Sequence, residues 1–399
     1  MIRILTLTSL FPNSVQRSHG IFVLQRLKHL VASRNVEACV VAPVPWYPAF
    51  VPGPDRYTIY REVPETDSRD GFEVSHPKYL VVPRIGMSIA PGLMAASILN
   101  AVYKIASSRQ GFDLIDAHYF YPDGVAAAWI AQRLGLPVVI TARGTDINLI
   151  PKYRIARRQI LWAANQAAAI ITVCDALRNE MVNLGVEPSK ITTLRNGFDP
   201  DVFHPVDRDE ARNDLGIQGR TLLSVGHLIE RKGHGLIIDA LAGLPDFNLV
   251  IVGSGPDEAD LKNRVRRLGV EDRVRFEGTV EQTELKSYYS ACDALALASS
   301  REGMANVLIE SIACGCPVVA TNSWGTPEVI GSPESGVLVD EWSSTGIAAG
   351  IRELFANLPA RAETLKYADR FQWDPTSKGQ YDIFRDIAER TAAASTAPK

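Results

Sequence analysis

Two glutamates, Glu302 and Glu310, lie in a stretch that runs from an apolar segment through a loop into a helical pattern. The pattern predicts a strand over 294–298 and a helix that begins near Ala305, so free backbone N–H groups would lie at the carboxyl edge of a sheet and favour an anion. Carboxylates repel phosphate but accept hydrogen bonds from hydroxyl groups. A ligand with a phosphate between hydroxyl-rich parts, such as a nucleotide sugar, fits this arrangement. The alternative is that Glu310 faces solvent on an ordinary helix.

A second charged loop follows a predicted strand that ends at Gly226. Lys232 precedes a helix predicted to begin near Gly233, and a cation beside a helix start can hold a diphosphate. The alternative is solvated charge on a connecting loop. The stretch 252–256 carries only part of a dinucleotide-binding fingerprint, because Glu258 occupies the third glycine position, and this argues against a dinucleotide site.

Short apolar runs alternate with helical patterns in both halves of the chain, and several of the runs are apolar throughout. Continuous apolar strands indicate parallel sheets covered on both faces by helices. Strands are predicted over 2–7, 39–42, 79–82, 114–117, 138–141, 169–173, 191–194, 221–225, 249–252, 274–276, 294–298, 318–320 and 337–339. Helices are predicted over 21–32, 125–134, 155–164, 176–184, 235–241, 258–268, 282–290 and 307–314.

The alternation breaks at Asn196-Gly197, and the Asp-, Arg- and Pro-rich segment 199–219 is typical of a linker. The prediction is an α/β protein with two doubly wound, Rossmann-like domains whose parallel sheets face a central cleft. The N-terminal domain would span 1–198 and the C-terminal domain 199–374. A helix within 375–399 would cross back to the N-terminal domain and end in a frayed tail over 391–399. The proline-rich excursion 43–91 is predicted to be irregular apart from the strand near 79–82.

The composition is that of a globular protein and argues against several other classes. The 399 residues are 46% hydrophobic and 22% charged with a net charge of −3, which argues against disorder and against a broad nucleic-acid-binding face. The five cysteines are expected to be small buried residues in a reducing cytoplasm. No signal peptide or membrane-spanning stretch is evident, so a cytoplasmic protein is expected, in contact with the inner face of the cell membrane at most.

Four ordered motifs together resemble the retaining glycosyltransferases of family 4 (glycosyl transferases group 1), which have the GT-B fold. They are the two glutamates separated by seven residues, the Val225-Gly226-x5-Lys232-Gly233 turn, the segment 253–258, and 195–199 with the sequence Arg-Asn-Gly-Phe-Asp. The nearest type is that of cell-surface polysaccharide synthesis. The resemblance implies a nucleotide-diphosphate sugar as co-substrate, a glycan or lipid-linked acceptor, no cofactor and no required metal.

The resemblance implies roles for residues in the C-terminal half. Glu310 would hold the ribose hydroxyls, Glu302 the donor sugar and Lys232 the diphosphate, and the loop residue Val280 would lie near the base. His227 replaces the usual arginine, which weakens the positive charge of the site, and Arg231 is the neighbouring cation. The segment between the glutamates would contact sugar and phosphate through Gly303, Met304, Ala305, Asn306 and Val307.

In the N-terminal half, Gly20 resembles part of the family's glycine loop, and His118 matches its active-site histidine. Arg143 stands where the family has histidine in a His-Gly-x-Asp loop, and Asp146 is the aspartate of that loop. Asn196 belongs to the 195–199 motif. His118, Glu302 and Lys232 are the predicted catalytic residues, and the others are assigned to donor binding.

Two other classes stay open, and so does contact with a membrane. The same two-domain plan serves nucleotide-sugar epimerases and phosphorylases, and the His227 and Arg143 departures also suit a non-catalytic nucleotide-sugar-binding protein. In the excursion, aromatic residues could face a lipid-linked acceptor or fold back on the domain; they are Trp46, Tyr47, Phe50, Tyr57 and Tyr60. Basic residues near 152–158 form either a membrane-surface patch or a solvated helix face.

Overall fold

The computed structural model describes residues 1–47, 55–81, 86–108 and 111–396. These residues form two compact units. Unit 1 comprises Met1–Asn196 together with the segment from Trp373 onward, and unit 2 comprises Gly197–Gln372. The predicted aromatic residue Phe50, the end of the predicted strand at Val82 and the last three residues of the predicted tail lie outside the described residues.

Unit 1 is built on an eight-stranded sheet with the order β10-β9-β8-β7-β1-β2-β5-β4. Its pairs are parallel except for β4, which runs antiparallel to β5 at the edge. A separate parallel pair joins β3 to β6. The strands are β1 Ile2–Leu7, β2 Val36–Val41, β3 Val44–Trp46, β4 Thr66–Arg69, β5 Phe72–Ser75, β6 Lys78–Leu80, β7 Leu114–His118, β8 Val138–Ala142, β9 Ala169–Thr172 and β10 Ile191–Thr193.

The C-terminal helix completes the core of unit 1. It packs on the first helix, and its Phe384 and Ile387 are buried with Ile4 of β1 and Leu27 of α1. Apolar side chains at helical spacing on α1 make the matching face. The helices of unit 1 are α1 Ile21–Ser33, α2 Ala90–Ser108, α3 Val125–Leu134, α4 Thr145–Asn148, α5 Arg154–Gln166, α6 Asp175–Asn183 and α15 Trp373–Thr396.

Unit 2 has a six-stranded, all-parallel sheet with the order β13-β12-β11-β14-β15-β16. Counted along the unit this is the order 3-2-1-4-5-6 of a Rossmann fold. The strands are β11 Arg220–Val225, β12 Phe247–Val252, β13 Val274–Gly278, β14 Ala294–Leu297, β15 Val318–Thr321 and β16 Gly336–Val339. The helices are α7 Arg208–Leu215, α8 His234–Leu241, α9 Glu258–Leu268, α10 Leu285–Ala291, α11 Asn306–Ala313, α12 Thr326–Val329, α13 Ser344–Ala356 and α14 Arg361–Ala368.

The predicted strands and helices are confirmed within a few residues, but the prediction of an irregular excursion over 43–91 is wrong. Its described part contains β3, β4, β5 and β6, and it ends in the first turn of α2. The β4–β5 hairpin turns at Asp70-Gly71, both with positive φ, which is the geometry that an Asp-Gly turn provides. Pro91 lies in the first turn of α2, where proline is compatible with a helix.

The linker prediction for 199–219 is also wrong in part, because α7 lies within it. The side chain of Asp207 caps this helix by accepting a hydrogen bond from the Glu210 backbone N–H at 2.8 Å, and Gly216 ends it. The predicted frayed tail is helical through Thr396. All five cysteines are buried and unbridged. In the part of the chain that the structure describes, no helix combines the length and the apolar character needed to cross a membrane.

Gln380 on α15 holds a buried cation of α1. Its Oε1 accepts a hydrogen bond from Arg26 Nε at 2.7 Å, and Arg26 Nη1 donates to the Leu194 carbonyl at 3.0 Å. We expect Gln380→Ala to lower the free energy of unfolding by about 1.5–3 kcal/mol, because a buried guanidinium loses an acceptor. Urea denaturation of the full chain measures this change. The exposed Lys378→Ala on the same helix is the control, and an equal loss there would contradict the expectation.

Candidate functional site

A glycine brings two charged loops of unit 2 together. Gly233 has a φ of +71°, and a Cβ added to it would lie 2.0 Å from the carbonyl oxygen of Ala298, just after β14. The turn before α8 can therefore pack directly on the loop that follows β14. Two hydrogen bonds join the same loops: Ser300 N–H donates to the Arg231 carbonyl at 2.9 Å, and Arg231 Nη1 donates to the Arg301 carbonyl at 2.7 Å.

This packing pairs Glu302 with two cations. Lys232 Nζ lies 2.7 Å from Glu302 Oε1, and Arg231 Nη1 lies 3.2 Å from the same oxygen. Glu302 is only 8% exposed. Burial by itself would raise the pKa of this carboxyl, but Lys232 and Arg231 together lower the pKa below its usual value, so Glu302 is ionised at neutral pH. The ammonium of Lys232 has three N–H donors, and the pair uses one of them.

The second predicted glutamate is buried on α11. Glu310 is 7% exposed, so the alternative in which it faces solvent is wrong. The hydroxyl of Tyr289 donates a hydrogen bond to Glu310 Oε2 at 3.1 Å. Burial raises the pKa of Glu310 to about 7, although hydrogen bonds from Tyr289 and Gln282 act in the opposite direction. Glu310 is therefore a carboxyl that gains or loses its proton near neutral pH.

The other predicted residues of unit 2 lie on the loops around these groups. His227 follows β11, and its Nδ1 lies 2.6 Å from the carbonyl oxygen of Ser254. Val280 is half-buried in the loop after β13. Residues 303–305 are buried between β14 and α11, and Asn306 and Val307 form the half-buried first turn of α11. All these loops follow the carboxyl ends of strands, which is the edge where open α/β sheets bind ligands.

In unit 1 the structure brings His118, Arg143 and Asn196 together. Arg143 Nη2 donates to His118 Nδ1 at 2.8 Å, and Arg143 Nη1 donates to Asn196 Oδ1 at 3.1 Å. Because a guanidinium can only donate, the ring proton of His118 lies on Nε2, which donates to Asp116 Oδ2 at 3.1 Å. Burial lowers the pKa of His118 to about 4, so the ring is neutral.

Both ring nitrogens of His118 are thus engaged inside unit 1, and the residue is buried. In this arrangement His118 orients the guanidinium of Arg143, and neither of its ring nitrogens is directed at a ligand. The network continues inward, because Gln380 Nε2 donates to Asp116 Oδ2 at 3.3 Å and also binds Arg26 through its oxygen. Asp116 therefore binds both His118 and Gln380, and these two side chains in turn bind the buried guanidiniums of Arg143 and Arg26.

Asp146 and Gly20 have structural partners in unit 1. Asp146 is fully buried and accepts hydrogen bonds from three backbone N–H groups, those of Phe120 at 2.7 Å, Gly144 at 2.6 Å and Arg143 at 3.1 Å. It fixes the loops after β7 and β8 instead of facing outward. Gly20 precedes α1 and lies directly against the backbone of Leu10. The roles of both residues toward a ligand stay predictions.

Sequence reasoning missed several buried partners of these residues. The sequence pattern predicts only that Tyr289 lies in a helix and that Arg26 is a charged residue on the first helix. Asp123 is fully buried and accepts hydrogen bonds from the backbone and the hydroxyl of Ser9, while burial raises the pKa of Asp123 to about 7. A charged residue within an apolar pattern was the available signal for Arg26.

Among the described residues, no cluster of three or more His, Cys, Asp or Glu side chains could hold a metal ion.

Comparison with known sequences assigns both units to glycosyltransferases. Residues 22–202 match the family described as Glycosyltransferase Family 4, and residues 207–371 match Glycosyl transferases group 1. A D-inositol 3-phosphate glycosyltransferase of Acidothermus cellulolyticus is 31% identical over 71% of this chain and 69% of its own length. TuaC of Bacillus subtilis, provisionally named a teichuronic acid biosynthesis glycosyltransferase, is 28% identical over 88% of each chain.

Solved structures show the same fold. Sucrose-phosphate synthase from Thermosynechococcus elongatus aligns with a TM-score of 0.76 and 19% identity, covering 97% of this chain and 99% of that one. Anabaena HepE in complex with UDP-glucose aligns with a TM-score of 0.69 and 20% identity, covering 98% of this chain and all of its own. With its two Rossmann-like domains and its matches over both units, the chain belongs to the family 4 (group 1) glycosyltransferases of GT-B fold.

Proposed function

We propose that the protein transfers a sugar from a nucleotide-diphosphate sugar to an acceptor hydroxyl with retention of the anomeric configuration. The bond between the anomeric carbon and the diphosphate oxygen breaks, and the bond to the acceptor oxygen forms on the same face of the sugar. The acceptor proton passes to the leaving diphosphate. Donor and acceptor thus become a glycoside and a nucleoside diphosphate, and no protein nucleophile takes part.

The observation that carries this proposal is the meeting of Lys232, Arg231 and Glu302 at the carboxyl edge of the unit 2 sheet, with Glu310 buried on the helix that follows. The ammonium of Lys232 and the backbone amides of residues 303–307 suit the phosphate oxygens of a donor. Glu302 is an ionised acceptor for sugar hydroxyls, and Glu310 is the acceptor for the ribose hydroxyls. The Lys232–Glu302 pair at 2.7 Å therefore couples the diphosphate group to the transferred sugar.

The same residues supply what the reaction needs as charge develops. Negative charge grows on the leaving diphosphate as the glycosidic bond breaks, and fixed cations and amides stabilise it most effectively away from bulk water. Lys232 is the predicted catalytic cation, and its 2.7 Å contact with Glu302 holds it in place. We propose on this basis that the transfer needs no metal ion and no cofactor, because side-chain and backbone donors take that part.

For the donor and acceptor classes the proposal draws on the comparisons. HepE was crystallised with UDP-glucose, which makes UDP-glucose the first donor to test. TuaC is named for teichuronic acid biosynthesis, and we propose a glycan or a lipid-linked sugar of a cell-surface polysaccharide as acceptor. His118 and Asn196 would act through Arg143, whose guanidinium they orient at the edge of unit 1.

The decisive experiment combines donor selection with product stereochemistry. A thermal-shift panel of UDP-, GDP- and ADP-sugars identifies the donor, because a ligand that binds the folded state stabilises it. Turnover is then followed in EDTA with simple glycoside acceptors, and the anomeric proton coupling of the product is read by NMR. We expect a product with the anomeric configuration of the donor. An inverted product, or donor consumption that needs no acceptor, would contradict the proposal.

Lys232→Ala tests the diphosphate contact. We expect kcat/KM to fall about tenfold to a hundredfold, because a charge-assisted hydrogen bond contributes about 1.5–3 kcal/mol. Glu302 keeps Arg231 at 3.2 Å as its partner, so the fold should survive. The matched control is Lys262→Ala on α9 of the same unit, whose side chain is 46% exposed and paired with Glu258. Equal activity of the Lys232→Ala variant and the wild type would remove Lys232 from the site.

Glu310→Gln tests the titrating carboxyl. The pKa of Glu310 is about 7 in the folded state and 4.5 as the reference for the unfolded state, so the protonated form favours folding. The stability that this group contributes is full below about pH 4.5 and is lost as the pH rises through about 7. Between about pH 5 and 8 we expect the wild type to lose on the order of 2–3 kcal/mol of unfolding free energy relative to Glu310→Gln.

Donor binding should depend on pH in the opposite sense from stability, since the ionised form of Glu310 is the one that binds the donor. Because ribose hydroxyls donate to the carboxylate, the affinity of the wild type for UDP should weaken as the pH falls below about 7, and Glu310→Gln should bind UDP weakly at all pH values. Calorimetry at two pH values measures both effects. The exposed Glu353→Gln serves as control. A UDP affinity of the wild type that does not change with pH would refute the assignment of Glu310.

A further inference from the structure

Acidic residues are missing from two segments of unit 1 in a chain that has 45 of them. No Asp or Glu occurs between Glu73 and Asp113, and none occurs between Asp146 and Asp175. The described parts of these segments include α2 and α5. They are adjacent, because Gln159 of α5 donates through Nε2 to the Ser88 carbonyl at 3.0 Å, just before α2. Unit 1 therefore has two adjacent segments that carry no carboxylate of their own.

Cations are concentrated on the part of this region that belongs to α5. Lys152, Arg154, Arg157 and Arg158 are all exposed, and none of them forms an ion pair with a described carboxylate. The opposite side of α5 is buried through Ile160 and three alanines. The helix is thus fixed to unit 1 by its apolar face and presents unpaired positive charge to the outside.

Large apolar side chains lie among these cations. Tyr153 is 51% exposed and Ile155 is 52% exposed at the start of α5, and Met87 at 40% and Ile89 at 46% lie before α2. The two pairs are close, since the Tyr121 hydroxyl lies within hydrogen-bonding distance of the Met87 carbonyl and 2.9 Å from Gln159 Oε1, one helical turn after Ile155. Residues 87–89, 152–155 and 157–158 form what we call the basic apolar patch.

We propose that the basic apolar patch docks unit 1 on the anionic surface of a lipid bilayer. Interfacial segments that lie on membranes combine exposed aliphatic and aromatic side chains with Lys and Arg that reach the phosphate groups. An acidic protein would satisfy the cations, but it gives no reason for four large apolar side chains at 40–52% exposure among them. This inference goes beyond the proposed transfer reaction and does not depend on it.

Vesicle co-sedimentation of the full chain tests the proposal. The probes are vesicles of about three parts phosphatidylcholine to one part phosphatidylglycerol, and vesicles of phosphatidylcholine alone. We expect binding to the anionic vesicles at about 0.01 M salt and much less at about 1 M, where the Debye length is about 3 Å. Arg157→Gln with Arg158→Gln should weaken binding about 25-fold, because each cation near such a surface contributes roughly a factor of five.

Two further variants make the result specific. Tyr153→Ser with Ile155→Ser keeps every charge and should weaken vesicle binding about tenfold. Arg266→Gln with Arg267→Gln removes a matched exposed arginine pair from α9 of unit 2 and should leave vesicle binding unchanged. The thermal shift produced by UDP-glucose reports on folding and donor binding independently of lipid, so failure of the proposed transfer activity is recognised separately.

Three outcomes would overturn the proposal. The first is that the wild type does not sediment with anionic vesicles at low salt. The second is an equal loss of binding in the α9 variant, which would show a response to net charge alone. The third is full vesicle binding by the Tyr153→Ser, Ile155→Ser variant, which would mean a purely ionic surface suited to an acidic macromolecule.

Discussion

A charge removed from water must have a partner, and this requirement shapes both units at the carboxyl edges of their sheets. In unit 2, Glu302 can remain ionised while buried because Lys232 and Arg231 lie within 3.2 Å of it. In unit 1, the buried guanidinium of Arg143 is held by hydrogen bonds to a histidine and an asparagine. In both places the loops that end parallel strands carry the charged groups, and their backbones must approach closely for the pairs to form.

The departures from the family pattern follow the same requirement. An arginine at 143 brings a permanent positive charge into a buried position, and the neutral ring of His118 accepts a hydrogen bond from it. Asp116 balances this region from β7, and Gln380 links it to Arg26 on α1. The C-terminal helix is therefore part of the polar core of unit 1 as well as its apolar core. Gln380, near the end of the chain, reaches Arg26 and Asp116 because α15 packs on α1.

Sequence patterns were sufficient for most of the strands because a strand buried on both faces is largely apolar, as in β14, where all four residues are apolar and buried. They failed where local chemistry differs from that pattern. The β4–β5 hairpin has few buried residues, and its turn signal, Asp70-Gly71, was the better guide. The pattern groups Pro91 with the prolines that indicate irregular structure, although it lies in the first turn of α2. Helix α7 has one buried residue, Ala211, so its terminal residues, Asp207 and Gly216, indicate the helix better than its apolar pattern does.

The candidate site divides in the same way between what spacing predicts and what packing decides. The spacing of Glu302 and Glu310 on a loop and helix was enough to place both at one sheet edge. The spacing could not show that burial raises the pKa of Glu310. Nor could it show that two cations lower the pKa of Glu302, because those cations come from a loop 70 residues earlier. The same contrast distinguishes the interior from the surface. The buried charge of Glu302 has partners within the protein, whereas Arg157 and Arg158 are exposed to solvent and can bind anionic groups outside the chain.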